Sequence, residues 1–310
     1  MARLFGLIGN RADLAARVLA SEADALRVHA RGPGLGASAS AGASAAKGGP
    51  LGWGMGFYQG GEVLIRRRPI DDRPEIDVAK NAHDVRADTL IGQVRQATVG
   101  SLRTENTHPF RYRQWLYAQT GTVSRFDGIK ERLAASVPEF LRGGIRGETD
   151  AEIVFHVFLS FLHDAGRLED MSIEEGVVRD ALRSTLSVVD GMTAEIGAEP
   201  GALNVVVTNG DVIVALHRND AMAYRQFSGK ADADALIGDD LQLRRRAPEL
   251  AHMHFVLLAS DLEDAPQAPA GSSPLSSPAS SKASLARWKK IPDRAIVTLT
   301  RGDDPKIEVL

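Results

Sequence analysis

The sequence predicts an α+β fold built on antiparallel sheets, carried as one domain over residues 1–310. Three observations lead there. Strand-like apolar runs pair through short turns at Gln59-Gly60-Gly61 and Asn209-Gly210-Asp211, and Asn-Gly between apolar runs is a strong hairpin signal. The helical patterns are grouped rather than alternating strictly with strands. Two biased stretches, 32–50 and 264–284, interrupt the chain, but strands on both sides of each are needed to complete the sheets, so neither divides it.

Residues 4–8 form an apolar run ending at Gly9-Asn10, a buried strand and a turn. Residues 13–28 place Leu14, Ala15, Val18, Leu19, Ala25 and Leu26 at helical spacing, with Glu22 on the same face. Residues 32–50 are rich in Gly, Ala and Ser and cannot bury enough surface to order themselves, which predicts a flexible loop. Residues 54–58 and 63–67 read as paired strands, and 89–98 and 114–122 as further strands. Helices are predicted at 131–140 and 149–163. In the second, Ile153, Val154, Val157, Phe158, Phe161 and Leu162 share a broad face. A third helix covers 173–186, and Asp190-Gly191 leads on to the strand at 203–208, which turns into 212–216. Residues 254–260 and 288–299 close the sheets, with a mobile Pro/Ala/Ser-rich loop at 264–284 between them. Trp53 and Trp288 are assigned to the core, and Gly54 and Gly56 to close backbone packing.

Composition excludes several classes. The chain is 44% hydrophobic and 25% charged, with a formal net charge of -3, an ordinary globular balance. Residues 66–68 and 244–246 are short Arg clusters that read as solvated surface, so neither a nucleic-acid nor a membrane partner is expected. No run reaches the roughly 18 apolar residues of a membrane span, and no signal-peptide pattern opens the chain, which leaves a cytoplasmic location as the expectation. The absence of cysteine removes disulfides, thiolate metal sites and thiol nucleophiles together. No P-loop or dinucleotide fingerprint is present; the Gly-Pro-Gly-Leu-Gly at 32–36 follows a helix rather than a strand. His252 and His254 alternate on a predicted strand but fall short of a metal site, and neither cofactor nor metal is expected.

Four segments carry a resemblance in order: Met1-Ala2-Arg3-Leu4-Phe5-Gly6; Gly52-Trp53-Gly54-Met55-Gly56-Phe57-Tyr58; Arg95-Gln96-Ala97-Thr98-Val99-Gly100 with Asn106-Thr107-His108-Pro109-Phe110; and Gly147-Glu148-Thr149-Asp150-Ala151-Glu152. Together they resemble the class II glutamine amidotransferases, and the small stand-alone branch in particular. Ala259-Ser260-Asp261 and Trp288 with Ile291-Pro292-Asp293 are similar to that branch too. The resemblance implies the N-terminal-nucleophile hydrolase fold, a four-layer αββα sandwich of two antiparallel sheets. It also implies a pocket for glutamine or a γ-glutamyl small molecule, with a synthase or other protein as a possible partner.

A glutamine site must hold a carboxylate, an ammonium and an amide at once. By resemblance Arg95 grips the carboxylate, with Thr98 and His108 nearby, which suits the bidentate guanidinium. Asp150 matches the partner of the ammonium. Gly121 matches the glycine beside the oxyanion hole, where backbone approaches substrate. Each also has a plain structural reading: Arg95 as a surface strand residue, Asp150 as part of a helix cap, His108 as a packed loop histidine, Gly121 as a strand-end glycine.

The resemblance breaks at three positions. The family places a nucleophilic Cys, exposed by removal of Met, where Ala2 stands, and a methyl group cannot attack a carbonyl. Thr120 stands at the oxyanion-hole Asn and reaches less far, and Gln119 stands where a His usually precedes it. Three readings follow: a catalytically impaired relative, a pseudoenzyme that keeps its glutamine pocket; an active amidotransferase or γ-glutamyl amide hydrolase whose natural residue 2 is Cys, Ala2 being engineered; or a non-catalytic interaction module.

Overall fold

A computed structural model describes residues 2–29, 51–96, 101, 103–219, 221–245, 247–250, 252–262 and 287–310. Its strands are β1 (Ala2–Gly9), β2 (Val28–His29), β3 (Leu51–Gln59), β4 (Glu62–Asp71), β5 (Glu75–Ile76), β6 (Thr89–Gln96), β7 (Phe110–Tyr112) and β8 (Trp115–Gly121). They continue with β9 (Leu203–Thr208), β10 (Val212–His217), β11 (Met222–Ser228), β12 (His254–Ser260), β13 (Lys289–Lys290), β14 (Ala295–Thr300) and β15 (Lys306–Val309). Seven make one sheet, in the order β13-β11-β12-β1-β6-β3-β4, and six a second, β15-β14-β10-β9-β8-β7. The N-terminal strand therefore lies inside the first sheet, paired antiparallel with β6 and β12.

Period-two alternation decides which layer each residue fills. Along β1, Leu4 and Ile8 enter a core between the sheets, shared with Ile91, Leu116, Ala118, Val206 and Ile213. Phe5 and Leu7 turn outward, to a layer with Leu14, Val18 and Leu19. The second sheet turns Trp115, Tyr117, Val205 and Val207 outward, where the helices Phe126–Ser136, Asp150–Asp164 and Glu175–Glu195 cover them. Helix, sheet, sheet and helix stack as the expected four-layer αββα sandwich.

The structure corrects several element boundaries. The helix expected at 13–28 is broken into a 3-10 turn Ala12–Leu14, a helix Ala15–Ser21 and a turn Ala23–Leu26. The break falls at Glu22, which is buried, paired with Arg225 and bonded by the indole N–H of Trp288 at 2.8 Å. The helix expected at 131–140 starts at Phe126 and ends at Ser136, because Pro138 cannot continue it; a short turn, Glu139–Arg142, follows. The third helix runs through Asp190 and Gly191 to Glu195, with Asp190 held by Arg218 at 2.8 Å. The final strand is two, β13 and β14, in different sheets, with Ile291 to Arg294 crossing between them. β11, β15 and the helix Gly229–Ile237 were not predicted. Both stretches expected as loops, 32–50 and 264–284, lie outside the described residues, as does Thr98.

Candidate active site

The site forms at one end of the space between the sheets. Ala2 on β1 is the register partner of Arg95 on β6, and Arg95 also faces Gly52 on β3. Ala2 shares the parity of Leu4 and Ile8, and Arg95 that of Ile91, so both side chains face the opposite sheet. There, Thr120 shares the parity of Leu116 and Ala118 and faces back. Gln93, one row deeper than Arg95, ties the sheets together by donating to the Gln119 carbonyl.

The Gly-Trp-Gly-Met-Gly stretch explains how His108 arrives here. On β3 the odd residues, Trp53, Met55 and Phe57, pack outward. The even ones are glycines facing inward, so backbone can lie directly on the sheet. A Cβ at Gly54 would fall onto the His108 carbonyl, and one at Gly56 would lie 3.0 Å from Pro109 and 2.8 Å from Leu116. His108 is buried with its ring edge-on to Phe110, at 4.6 Å between centroids. Arg67, on β4, donates to the Pro109 carbonyl.

Asp150 approaches from the other face of β8. It is the first residue of its helix, whose N-cap is Thr149, the Thr149 hydroxyl accepting from the Glu152 N–H. The Asp150 carboxylate accepts from the Val123 N–H at 2.8 Å and from the Gln119 amide at 3.4 Å. Gln119 in turn accepts from the Tyr117 hydroxyl at 2.6 Å. Gln119 thus points into the helical layer, opposite to Thr120. Between them and Val123, Gly121 ends the strand at φ 85°, where a Cβ would fall onto the Ala202 carbonyl, so its glycine is demanded by the backbone.

One clasp joins the His108 and Asp150 segments. The Glu152 carboxylate accepts from the N–H groups of Arg146 at 2.8 Å and Gly147 at 2.6 Å. The Asn106 Oδ1 accepts from the Glu148 N–H at 3.0 Å, while its amide donates to the Ser101 hydroxyl at 2.8 Å. Gly147 lies so close that a Cβ there would meet both Asn106 and Glu152.

Burial and the guanidinium groups dominate the electrostatics here. Burial lowers the Arg95 pKa, and its Nε and one terminal nitrogen are buried without a hydrogen-bond partner among the described residues. Burial, then the charges of Arg95 and Arg67, push His108 down to about 3, leaving a neutral ring whose two nitrogens find no partner among the described residues. The Thr120 hydroxyl is buried and unpartnered as well. Asp150 is raised by burial, against the pull of its N–H donors. Buried polar atoms are normally satisfied, so these atoms stand out among the described residues. Among the described residues no group of three His, Asp or Glu side chains could hold a metal ion, and no helix is long and apolar enough to cross a membrane.

A family model for class-II glutamine amidotransferases matches residues 36–266. The chain belongs to the class II glutamine amidotransferase family. Among relatives of this amidotransferase family member, "Probable glutamine amidotransferase DUG3" of Saccharomyces cerevisiae is 30% identical over 141 residues. The match covers 43% of this chain and 40% of that protein, so the chain spans well under two thirds of that relative's length. Solved structures agree on the fold. A class-II glutamine aminotransferase domain protein from Silicibacter pomeroyi superposes with a TM-score of 0.53 at 13% identity, covering 99% of this chain and 98% of that one. Glutamine phosphoribosylpyrophosphate amidotransferase from B. subtilis gives 0.51 at 12% identity, covering 99% and 49%.

The sequence reading names Ala2, Arg95, Thr98, His108, Thr120, Gly121 and Asp150 as site residues by resemblance, and does not separate the two faces of β8. It also missed Arg67, Asn106 and Glu152, and read Gly54 and Gly56 as packing without naming what packs. Period-two parity on β4 and β8 was the available signal for Arg67 and for the opposed directions of Gln119 and Thr120.

Proposed function

We propose that this family member recognises glutamine or a γ-glutamyl compound and is impaired in cleaving its amide, acting as a binding subunit or sensor beside a synthase or other protein partner. One observation carries the reading: Arg95, the register partner of Ala2, faces the inter-sheet space with buried guanidinium nitrogens that no described carboxylate meets. A ligand carboxylate offers the bidentate partner that this fork requires. Beside it, the Ala2 methyl has no lone pair to attack with, and Thr120 offers a shorter donor than an amide. Calorimetry with glutamine and glutamate tests this. Binding is expected for the unaltered protein, and Arg95→Gln is expected to weaken it about 10- to 100-fold, the cost of a lost charge-assisted pair. Absence of heat with either ligand would sink the reading.

A second reading has its own support. β1 sets residue 2 in register with Arg95, so a cysteine there would stand beside the substrate clamp. The protein would then be an amidotransferase or γ-glutamyl amide hydrolase whose natural residue 2 is Cys, and a Cys codon in the encoding gene decides for it.

A further inference from the structure

The row of the second sheet that holds Thr120 continues sideways. Thr120 pairs with Asn204 on β9, and the β9–β10 register carries the row on to His217 at the end of β10. Asn204 and His217 share the inward parity of Val206 and of Ile213 and Ala215. The first sheet lies over this row: a Cβ at Gly6 of β1 would lie 3.4 Å from Val206 and 3.5 Å from Ile213, on β9 and β10. Ala2, at the start of β1, has Arg95 on one flank, while His217 occupies the flank of the row away from Thr120. Strand spacing puts His217 about 10 Å from Thr120.

The chemistry of His217 is fixed on one side. Its Nδ1 lies 2.7 Å from the Pro292 carbonyl, which can only accept, so Nδ1 carries the proton. In the neutral ring Nε2 is then a bare acceptor. It is buried and has no partner among the described residues, and the whole residue is only 5% exposed. The neighbouring Asn204 cannot turn freely, because its Oδ1 accepts from the Arg218 N–H at 3.0 Å.

Glutamine brings N–H donors that Arg95, a donor itself, cannot satisfy, and Asp150 lies on the other face of β8, already engaged. We propose that His217 is a ligand-binding residue whose Nε2 accepts a hydrogen bond from the side-chain amide N–H of glutamine, at the end of the pocket away from Arg95. This rests on the glutamine-binding reading above and adds selectivity to it: the side-chain carboxylate of glutamate has no proton to offer and is disfavoured against a bare nitrogen.

The test uses the full chain with ¹⁵N-labelled histidine, titrated with L-glutamine and L-glutamate. Saturation with glutamine is expected to move the Nε2 resonance of His217, and glutamate to leave it in place. By calorimetry the protein is expected to prefer glutamine, and His217→Phe to lose roughly tenfold in glutamine affinity and most of that preference. A preference unchanged in His217→Phe, or an Nε2 resonance indifferent to bound glutamine, overturns the assignment while leaving glutamine binding intact. Failure of the unaltered protein to bind either amino acid overturns the underlying reading, and this assignment with it. Should His217→Phe not fold, the resonance of the unaltered protein decides.

Discussion

At the residue scale, Ala2 and Thr120 face one space from opposite sheets, and the proposed impairment assigns each a separate test. A Cys at residue 2 would supply the attacking sulfur, yet the oxyanion would still meet a hydroxyl where the family has an amide. Loss of one oxyanion donor costs about 10²–10³ in turnover. Ammonia release from glutamine by Ala2→Cys is therefore expected to stay at least about 100-fold below that of Ala2→Cys/Thr120→Asn, and equal rates would clear Thr120 of blame. His108 makes a different prediction. Its pKa is depressed from 6.5 to about 3 by burial and by two guanidinium groups, so the folded state refuses a proton that the unfolded chain accepts. The stability it contributes is complete above pH 6.5 and drains away as pH falls towards 3, up to about 5 kcal/mol in all. Urea unfolding against pH should show this loss in the unaltered protein and a shallower one in His108→Gln.

At the element scale, the clasp made by Glu152 and Asn106 decides whether two loops arrive together. Glu152 satisfies two backbone N–H groups with one buried carboxylate. Glu152→Gln replaces one acceptor by a donor aimed at a donor, and is expected to cost about 2–3 kcal/mol. Amide exchange should then speed up at Arg146 and Gly147; exchange unchanged from the unaltered protein would remove the clasp from the account. This is also the scale at which the sequence was least legible. The hydrophobic periods and the Asn-Gly turn announced β9, β10 and the 150–164 helix. Glu22 looked like a blemish on an apolar helix face, because nothing local says that Arg225 and Trp288, some 200 residues onward and more, will be buried against it. Likewise, residues 288–299 read as one strand because Pro292 sits in an apolar run whose two halves belong to different sheets. Local pattern gives period and length; partner choice across the sandwich is a long-range property.

At the scale of the whole molecule, the residues facing the inter-sheet space come from β1 and β6 of one sheet and β8 of the other, so the proposed ligand there would bridge both sheets. A bridging ligand that binds only the folded chain stabilises all of it. At a hundredfold excess over its dissociation constant, glutamine should add about 2.7 kcal/mol, or roughly 5 °C in melting temperature for a domain of this size. Scanning calorimetry should find that shift in the unaltered protein and lose most of it in Arg95→Gln. The broad plan, two antiparallel sheets between helices, was legible because strand alternation and grouped helices survive any local error. The approach of Arg67 to Arg95 was not, because it depends on the order β6-β3-β4 within one sheet.

The central position of β1 has a practical consequence. Its first residue, Ala2, lies level with Arg95 on β6 and faces the opposite sheet. On the glutamine-binding reading, an affinity tag or fusion partner joined ahead of it would lie beside the proposed ligand. A tagged preparation of that kind is expected to bind glutamine less well than an untagged one. The other end has no such conflict: β15 is an edge strand, and Leu310 beyond it is exposed. Purification handles belong there.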